Sequence, residues 1–397
     1  MRSGQVAFAG SQPTPWFVPH TTVIAAPAAF KSVAVVNESA PKDKIPAQWE
    51  WVEHGKTVRL TWVEEGREDV GTPSYRAVFS RQAGKVKPVG GVSLSRLTDR
   101  IEVKINGQTF TGYYFKTSSP KPFLHPFKAA SGTVVTRGYP VVRGITGEPL
   151  DHPHHRAWWF SHGDANGTDF WGEEGKAPGR IEHRSFDEIV SGPVYGRLVA
   201  HSEWVTAKGE RILNDRREIT FYSLPDARMI DFVIELKPTG GPVKFGDTKE
   251  GSFAIRVAAE LQAKDGTGRL ENSLGLQGET ATWGKRADWC DYSGTVAGER
   301  LGITIFDHPS SFRHPSFWMV RDYGLFATNP FGERAYTNNP KADGSYLLAP
   351  GKTLTIRHRV LIHAGDAASA RLPQHYRAYA DQDQVKMQAR QSSSEFD

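Results

Sequence analysis

The sequence predicts an all-β protein built as a large antiparallel β-sandwich. Aromatic residues (21 Phe, 12 Tyr, 11 Trp) far outnumber the 4 Met, and 39 Gly and 25 Pro are present among 397 residues. This composition is typical of short strands and tight turns rather than of long helices. Alternating apolar and polar patterns recur along most of the chain between turn residues. The clearest hairpin, residues 101–115, contains an Asn-Gly turn.

We expect four segments along the chain. Residues 1–45 are rich in Ala, Pro, Ser and Val and predict an extended or disordered lead-in with one strand. Residues 46–97 predict a small N-terminal β module, and residues 98–366 the main sandwich. The segment 367–397 is expected to hold a short C-terminal helix over 367–382, followed by a polar tail.

Charge and cysteine content exclude several classes of protein. The net charge of +5 is spread along the chain without a basic block, so no nucleic-acid partner is expected. The single cysteine, Cys290, excludes an internal disulfide and a multi-cysteine zinc site. No apolar run approaches the ~18 residues of a membrane span. Residues 7–10 (AFAG) resemble the end of a cleaved signal without a long apolar core before them, so an exported and a cytoplasmic location both stay open.

The stretch from Asp151 to Trp171 (DHPHHRAWWFSHGDANGTDFW) has the highest density of chemically active groups. It contains four histidines, three aspartates, an arginine and five aromatic residues. Pro153 excludes a helical metal motif. In an extended segment alternate side chains share a face, so His152 and His154 are expected on one face and His155 on the other.

Two chemistries are compatible with these histidines. A His-x-His pair on one face binds a divalent metal when a third ligand arrives, and the set His152, His154 and His162 is the metal-site alternative. Histidine also transfers protons near neutral pH, and this interpretation requires no metal. No phosphate-binding glycine motif occurs in a strand-helix context, so no nucleotide cofactor is expected.

The flanking aromatic residues point to a sugar. Trp158, Trp159 and Trp171 offer faces on which the C–H surface of a sugar ring stacks, while the nearby polar groups pair with its hydroxyls.

Two further patches supply candidate partners for the histidines. Asp247, Lys249 and Glu250 lie in a short loop bounded by glycines, where a carboxylate or a lysine is available for acid-base chemistry. His314 and Asn329 belong to a second patch rich in aromatic residues.

Six stretches of the chain resemble a bacterial family of unknown function that carries the label "methane oxygenase PmoA". They are TRGYP (136–140), DHPHHR (151–156), HGDANGTDFW (162–171), GDTKEGSFAIR (246–256), HPSFWMVRDYGLFATNPFG (314–332) and APGKTLTIRHRVLIHAG (349–365). The resemblance covers roughly 100–366. The label implies a membrane oxygenase. Such a protein requires long apolar spans, and this sequence contains no run of that length. The last stretch also resembles the final strand of galactose-mutarotase-like supersandwiches, which implies a sugar-binding fold whose members include epimerases, glycoside hydrolases and lyases.

These observations together predict a carbohydrate-active enzyme of the glycoside hydrolase, lyase or epimerase type, acting at a glycosidic or anomeric carbon of a mono- or oligosaccharide. His154 or His155 is expected as general acid or base, opposed by Glu250 or Asp247. The expected substrate-binding residues are Arg156, Trp158, Trp159, Trp171, Lys249, His314 and Asn329. Two alternatives stay open: a metal-dependent hydrolase or lyase acting on glycans, and a non-catalytic sugar-binding protein.

Overall fold

The computed structural model describes residues 15–40, 42, 44–66, 74–82, 90–175, 177–381 and 386–388, the last with backbone only. The strands in chain order are β1 Phe17–Ala25, β2 Ser32–Asn37, β3 Lys44–Glu53, β4 Thr57–Glu65, β5 Ser74–Ser80, β6 Val92–Arg96, β7 Arg100–Ile105, β8 Gln108–Tyr114, β9 Phe123–His125, β10 Trp158–His162, β11 Arg180–Val190, β12 Tyr195–Val205, β13 Arg211–Tyr222, β14 Arg228–Pro238, β15 Val243–Phe245, β16 Gly251–Arg256, β17 Arg269–Asn272, β18 Trp289–Val296, β19 Glu299–Asp307, β20 Phe317–Val320, β21 Leu325–Asn329, β22 Tyr346–Leu348, β23 Leu354–Ala364 and β24 Lys386–Gln388. The helices are α1 Gly278–Thr282, α2 Glu333–Thr337 and α3 Leu372–Ala380, with one 3-10 turn at Ala259–Leu261.

Two eight-stranded sheets form the sandwich, which confirms the predicted all-β class. The site sheet has the order β20-β21-β16-β10-β9-β8-β7-β6, and the back sheet has the order β11-β12-β13-β14-β23-β19-β18-β17. Their inner faces share one apolar core, in which Trp158 and Phe253 of the site sheet contact Phe232 of the back sheet. Neighbouring side chains of a strand point to opposite faces, so Trp158 faces this core and Trp159 faces the outside of the site sheet.

The hairpin expected over residues 101–115 is present as β7 and β8. Asn106 and Gly107 both have positive φ values, 54° and 81°. A two-residue turn of this handedness matches the right-handed twist of the strands it joins, and an Asn-Gly pair adopts it at low cost. The Asn-Gly pair therefore correctly predicted the turn between β7 and β8 of the site sheet.

A third sheet, with the order β1-β4-β3-β2-β5-β24, lies against the outer face of the back sheet. Two contacts of β3 fix it there: Glu50 pairs with Arg197 at 2.7 Å, and Gln48 accepts hydrogen bonds from the backbone of residues 194 and 195. The sheet has its own apolar core around Trp62 and Leu60.

This third sheet corrects two expected boundaries. The lead-in predicted for residues 1–45 contributes β1 and β2 to the same sheet as β3 to β5, because their alternating apolar side chains complete its core. The boundary predicted at 97 falls after β6, yet β6 pairs with β7 in the site sheet. Residues 1–14, including the AFAG stretch, lie outside the described residues.

The C-terminal helix is shorter than predicted. It spans only α3, and the residues before it form a separate turn in which Asp366 accepts a hydrogen bond from the backbone of Ser369. The proline after Leu372 stands in the first turn, where a missing backbone donor costs nothing. Part of the expected polar tail forms β24, which pairs in parallel with β5. Within the described ranges, no helix has both the length and the apolar character to cross a membrane.

One ion pair lies inside the sandwich core. Asp215 and Arg217 are both fully buried and pair at 2.7 Å, and the Trp204 indole donates a hydrogen bond to the same carboxylate. Removing one partner of a buried pair leaves an uncompensated charge, which costs more than the pair itself contributes.

We expect Asp215→Ala to lower the free energy of unfolding by about 3–5 kcal/mol, since Arg217 would stay buried without its counter-charge. Urea unfolding followed by tryptophan fluorescence measures this loss. The matched control on the same strand is Glu218→Ala, whose pair with Arg216 is about one third exposed, and we expect it to cost less than about 1 kcal/mol. Equal losses from the two variants would contradict the assignment.

Candidate active site

The histidine-rich loop of residues 151–157 is held from behind by one buried guanidinium group. Arg137 donates to the side chain of Asp151 at 2.6 Å and to its carbonyl at 2.8 Å. It also donates to the carbonyl groups of His152 at 2.8 Å and His155 at 3.1 Å. Four acceptors on one planar group fix the path of the loop, since a guanidinium presents its donors in a rigid fork.

This path is not extended, and the expected arrangement of the histidines was wrong. His152 has a φ of 43°, and the backbone N–H of His155 donates to the His152 carbonyl at 3.0 Å, which closes a turn. The rings of His152 and His155 therefore stack, with centroids 4.7 Å apart and an interplanar angle of 6°. His154 stands edge-on to His155, 4.5 Å away.

Four rings form a column that begins on the outer face of the site sheet. Trp159 of β10 stacks on His155 with centroids 5.0 Å apart, and His155 stacks on His152. His152 in turn stacks on Tyr323, 5.5 Å away, in the connection between β20 and β21. The column fixes the orientation of the His155 ring from both faces.

A second buried arginine sets the hydrogen bonding of His155. Arg256, at the end of β16, approaches His155 Nδ1 to 3.2 Å. A guanidinium only donates, so Nδ1 must accept, and the ring proton of the neutral imidazole lies on Nε2. Arg256 also donates to Asp151 at 3.1 Å and lies 4.4 Å over the ring of Tyr323.

A cavity of about 690 Å3 opens in front of these histidines. The loop before β10 brings the histidines, and the loop after β10 brings Trp171. The loop before β16 brings Lys249 and Glu250, and α1 with the β20–β21 connection completes the lining. The lining residues are His152, His154, His155, Asp169, Trp171, Gly172, Lys249, Glu250, Glu279, Thr280, Met319, Arg321, Asp322 and Tyr323.

Burial determines the protonation of the groups in this cavity. It lowers the pKa of His154 to about 3, assisted by the positive charge of Lys121, and holds the pKa of His155 well below its ordinary value. Burial raises the pKa of the Glu250 carboxyl group, and the neighbouring Lys249 ammonium, 3.6 Å away, opposes this shift. At neutral pH the site therefore combines two uncharged imidazoles with a carboxyl group that is more basic than usual.

Six of the predicted catalytic and binding residues lie at or directly beneath this cavity. His154, His155, Trp171, Lys249 and Glu250 line it, and Trp159 supports His155 from below. Lys249 is engaged by Glu250 rather than free for a substrate carboxylate.

Two further predicted residues serve the framework instead. The Asp247 carboxylate accepts hydrogen bonds from the backbone of Arg334 and Gly344, at 3.0 and 2.6 Å. Asn329 is buried and donates to the Thr248 carbonyl at 2.8 Å. Both residues hold the loop that carries Glu250, because a loop lacks the strand pairing that would fix its backbone.

Arg156, Trp158 and His314 were expected to bind substrate, and none of them lines the cavity. Arg156 is buried and donates to Glu173 at 3.0 Å and to the Pro153 carbonyl. Trp158 is fully enclosed in the sandwich core. His314 lies within 3.3 Å of the Asp307 carboxylate and of the Tyr376 hydroxyl on α3, outside the cavity that His154 and His155 line.

The alternative metal ligands are not brought together. His162 is buried and its Nε2 bonds the Gly246 carbonyl at 3.0 Å, while His152 and His154 lie at the cavity. In the part of the chain that the structure describes, no three or more His, Cys, Asp or Glu side chains are placed to hold a metal ion.

Sequence reasoning missed Arg137, Arg256 and Tyr323. For Arg256 the useful signal was its position at the end of an otherwise uncharged strand, all six residues of which are buried. A buried arginine requires an acidic partner. Identifying that partner as Asp151 required the fold.

The chain is an all-β sandwich with a polar cavity on the outer face of one sheet. Comparison of its sequence with known protein families identifies the family to which it belongs. The "Family of unknown function (DUF6807)" matches residues 100–377, so this chain belongs to that family. This description assigns no oxygenase activity. No curated protein matches the sequence.

Two solved structures are similar to the chain at a TM-score of 0.26. One is a putative aldose 1-epimerase from Escherichia coli K12, at 12% identity over 69% of this chain and 99% of that chain. The other is a galactose mutarotase related enzyme from Lactobacillus acidophilus, at 9% identity over 69% and 98%. At this TM-score neither likeness bears on activity, and the all-β class rests on the sheets themselves.

We expect the rings of His154 and His155 to stay uncharged between pH 8 and pH 5, because their burial opposes protonation. Histidine ring signals in NMR spectra measure this, with the urea-unfolded chain as the control that titrates near the ordinary value of 6.5. The unfolded state then binds protons that the folded state does not, so these two histidines contribute a loss of stability as the pH falls below about 6.5. A His154 ring that titrates between pH 5 and 7 in the folded protein would contradict the assignment.

Proposed function

We propose that this chain is a carbohydrate-active enzyme that uses histidine and carboxylate groups for acid-base chemistry at a glycosidic or anomeric carbon. The observation that carries the proposal is the assembly of His154, His155 and Glu250 in one cavity, although the two segments are almost 100 residues apart in the sequence. Titratable groups with shifted pKa values in a shared cavity are a feature of catalytic sites.

Glu250 is the group best suited to transfer protons. Its raised pKa brings the carboxyl group closer to neutral pH, where a general acid or base works best. His154 is the histidine partner of the pair, and its depressed pKa keeps it in the proton-accepting form while making it a weak base. Asp247 is excluded as the opposing carboxylate because both of its oxygens accept hydrogen bonds from backbone N–H groups, Oδ1 from Arg334 and Oδ2 from Arg334 and Gly344.

The dimensions and lining of the cavity favour a sugar. About 690 Å3 is within the range that holds small ligands. The carboxylates of Asp169, Glu279 and Asp322 supply acceptors, and Arg321 supplies donors. Sugar hydroxyls require donors and acceptors together, and this lining offers both.

The two other predicted classes have less support. A non-catalytic sugar-binding protein requires aromatic faces open to solvent, but Trp158, Trp159 and Trp171 are at most 2% exposed. A metal-dependent hydrolase requires ligands that converge, and His152, His154 and His162 do not. The enzyme therefore remains the proposal, with the reaction type among hydrolysis, elimination and isomerisation.

We expect Glu250→Gln to lower turnover by at least about 100-fold and His154→Ala by at least about tenfold, since Glu250 carries the larger share of proton transfer. Anomer exchange of glucose and galactose by NMR, and nitrophenol release from p-nitrophenyl glycosides, provide the screen. The matched controls are Glu182→Gln and His201→Ala, which lie on the back sheet in partly exposed ion pairs, and we expect them to keep full activity.

The proposal fails if an active substrate is found and both Glu250→Gln and His154→Ala retain full turnover. Calorimetry separates catalysis from mere binding: Glu250→Gln is expected to bind the same sugar within a few-fold of the unsubstituted protein. Loss of binding in parallel with activity would instead assign Glu250 to substrate binding rather than to proton transfer.

A further inference from the structure

The groups behind the histidines carry an excess of positive charge. Arg137 and Arg256 share the single carboxylate of Asp151, at 2.6 and 3.1 Å. Beside them, the buried side chains of Lys121 and Arg156 share the single carboxylate of Glu173, at 3.4 and 3.0 Å. Four cations thus face two carboxylates, and we call this set the cationic wall.

The lining of the cavity itself carries an excess of negative charge. It contains the carboxylates of Asp169, Glu250, Glu279 and Asp322, and the cations of Lys249 and Arg321. Both cations are already paired, Lys249 with Glu250 and Arg321 with Glu279 at 2.8 Å. A ligand in the cavity therefore lies against a lining rich in carboxylates, with the cationic wall behind His155.

His155 is restricted to one hydrogen-bonding role in this field. Its Nδ1 accepts from Arg256, so Nε2 carries the proton, and no bond among the described residues engages Nε2. The stack with Trp159 and His152 prevents the ring from turning. Donation to Nδ1 also polarises the ring, which strengthens Nε2–H as a donor.

We propose that His155 acts as a neutral hydrogen-bond donor to a carbonyl oxygen of the substrate, that Arg256 is the positioning residue that fixes its tautomer, and that the substrate is a sugar with a free carbonyl group. This inference deepens the proposed function and rests on it. A neutral imidazole backed by positive charge stabilises the negative oxygen that develops when a carbonyl compound loses an adjacent proton.

The proposed step is proton abstraction next to the carbonyl. The carboxylate of Glu250 removes the proton from the carbon adjacent to the carbonyl, and the C–H bond breaks. Its electron pair forms a C=C bond, and the π pair of the C=O bond moves to the oxygen, which becomes an enolate held by His155. Glu250 then returns the proton to the former carbonyl carbon on the same face. The hydroxyl proton on the carbon that lost its hydrogen passes to the enolate oxygen, and that carbon becomes the new carbonyl. The product is the aldose-ketose isomer, and no redox partner is needed.

The positive charge behind His155 distinguishes the enolate from the transition state of glycoside hydrolysis. An oxocarbenium-like ring carries positive charge, which the cationic wall does not stabilise. An enolate has the opposite charge and places it at that wall. The tautomer of His155 and the excess of cations therefore support the same chemistry independently.

Two measurements test the role of His155. Hydrogen-deuterium exchange in D2O, followed by NMR on fructose, tagatose and dihydroxyacetone, detects abstraction next to a carbonyl whatever the final product. We expect exchange above the buffer rate, a loss of at least about 100-fold for His155→Ala, and a loss within about tenfold for His155→Gln, because the amide replaces the Nε2–H donor but cannot transfer a proton. Methyl β-glucopyranoside, which has no free carbonyl, is the substrate control.

The tautomer is measured without any substrate. Long-range proton-nitrogen NMR spectra of His155 are expected to show Nε2 protonated and Nδ1 bare, and Arg256→Lys is expected to populate both tautomers while thermal melting confirms that it folds. A protonated Nδ1 in the unsubstituted protein would overturn the proposal, as would equal losses in His155→Gln and His155→Ala.

The remaining outcomes separate the two proposals. Turnover of a glycoside, or anomer exchange, without any carbon-bound exchange would overturn the role of His155 and leave the proposed function standing. No binding or turnover of any sugar in either screen would overturn both.

Discussion

The carboxylate of Asp151 lies between the guanidinium groups of Arg137 and Arg256, and the rest of the site is arranged around this contact. A buried arginine is tolerated only with a counter-charge, and here one aspartate serves two. Arg137 uses its other donors to hold the histidine loop, and Arg256 uses one to fix His155. The position of the loop and the tautomer of its histidine therefore have a common origin in one charged cluster.

This cluster also explains why the family motifs are dispersed in the sequence. Arg137 comes from TRGYP, Asp151 and His155 from DHPHHR, Arg256 from the end of GDTKEGSFAIR, and Tyr323 from the motif that begins at residue 314. The antiparallel pairing of β10 with β16, and of β16 with β21, brings these segments side by side. What the sequence presents as four separate motifs is one set of contacts in space.

The sequence predicted those parts of the structure that depend on local pattern. Alternation predicted the all-β class, and the Asn-Gly pair predicted the β7–β8 hairpin. The histidine-rich stretch and the glycine-bounded loop of Glu250 were both singled out, and the fold brings them to one cavity that is the candidate site. Prediction failed where a distant group decides the local conformation: an extended loop was expected at 151–156 because nothing nearby reveals that Arg137 closes it into a turn. Likewise, two adjacent tryptophans in a strand point to opposite faces, but the sequence does not show which of them faces the core. Packing of the back sheet against the site sheet decides this, with Trp158 inside and Trp159 outside.

The ring column has a mechanical consequence. Its lower end, Trp159, is part of a central strand, and its upper end, Tyr323, belongs to the turn between two other strands of the same sheet. The rings of His152 and His155 are held between these two residues. The loop that carries them therefore cannot open as a lid without breaking a stacking contact. The histidine side of the cavity therefore forms a stationary wall against which a ligand is placed.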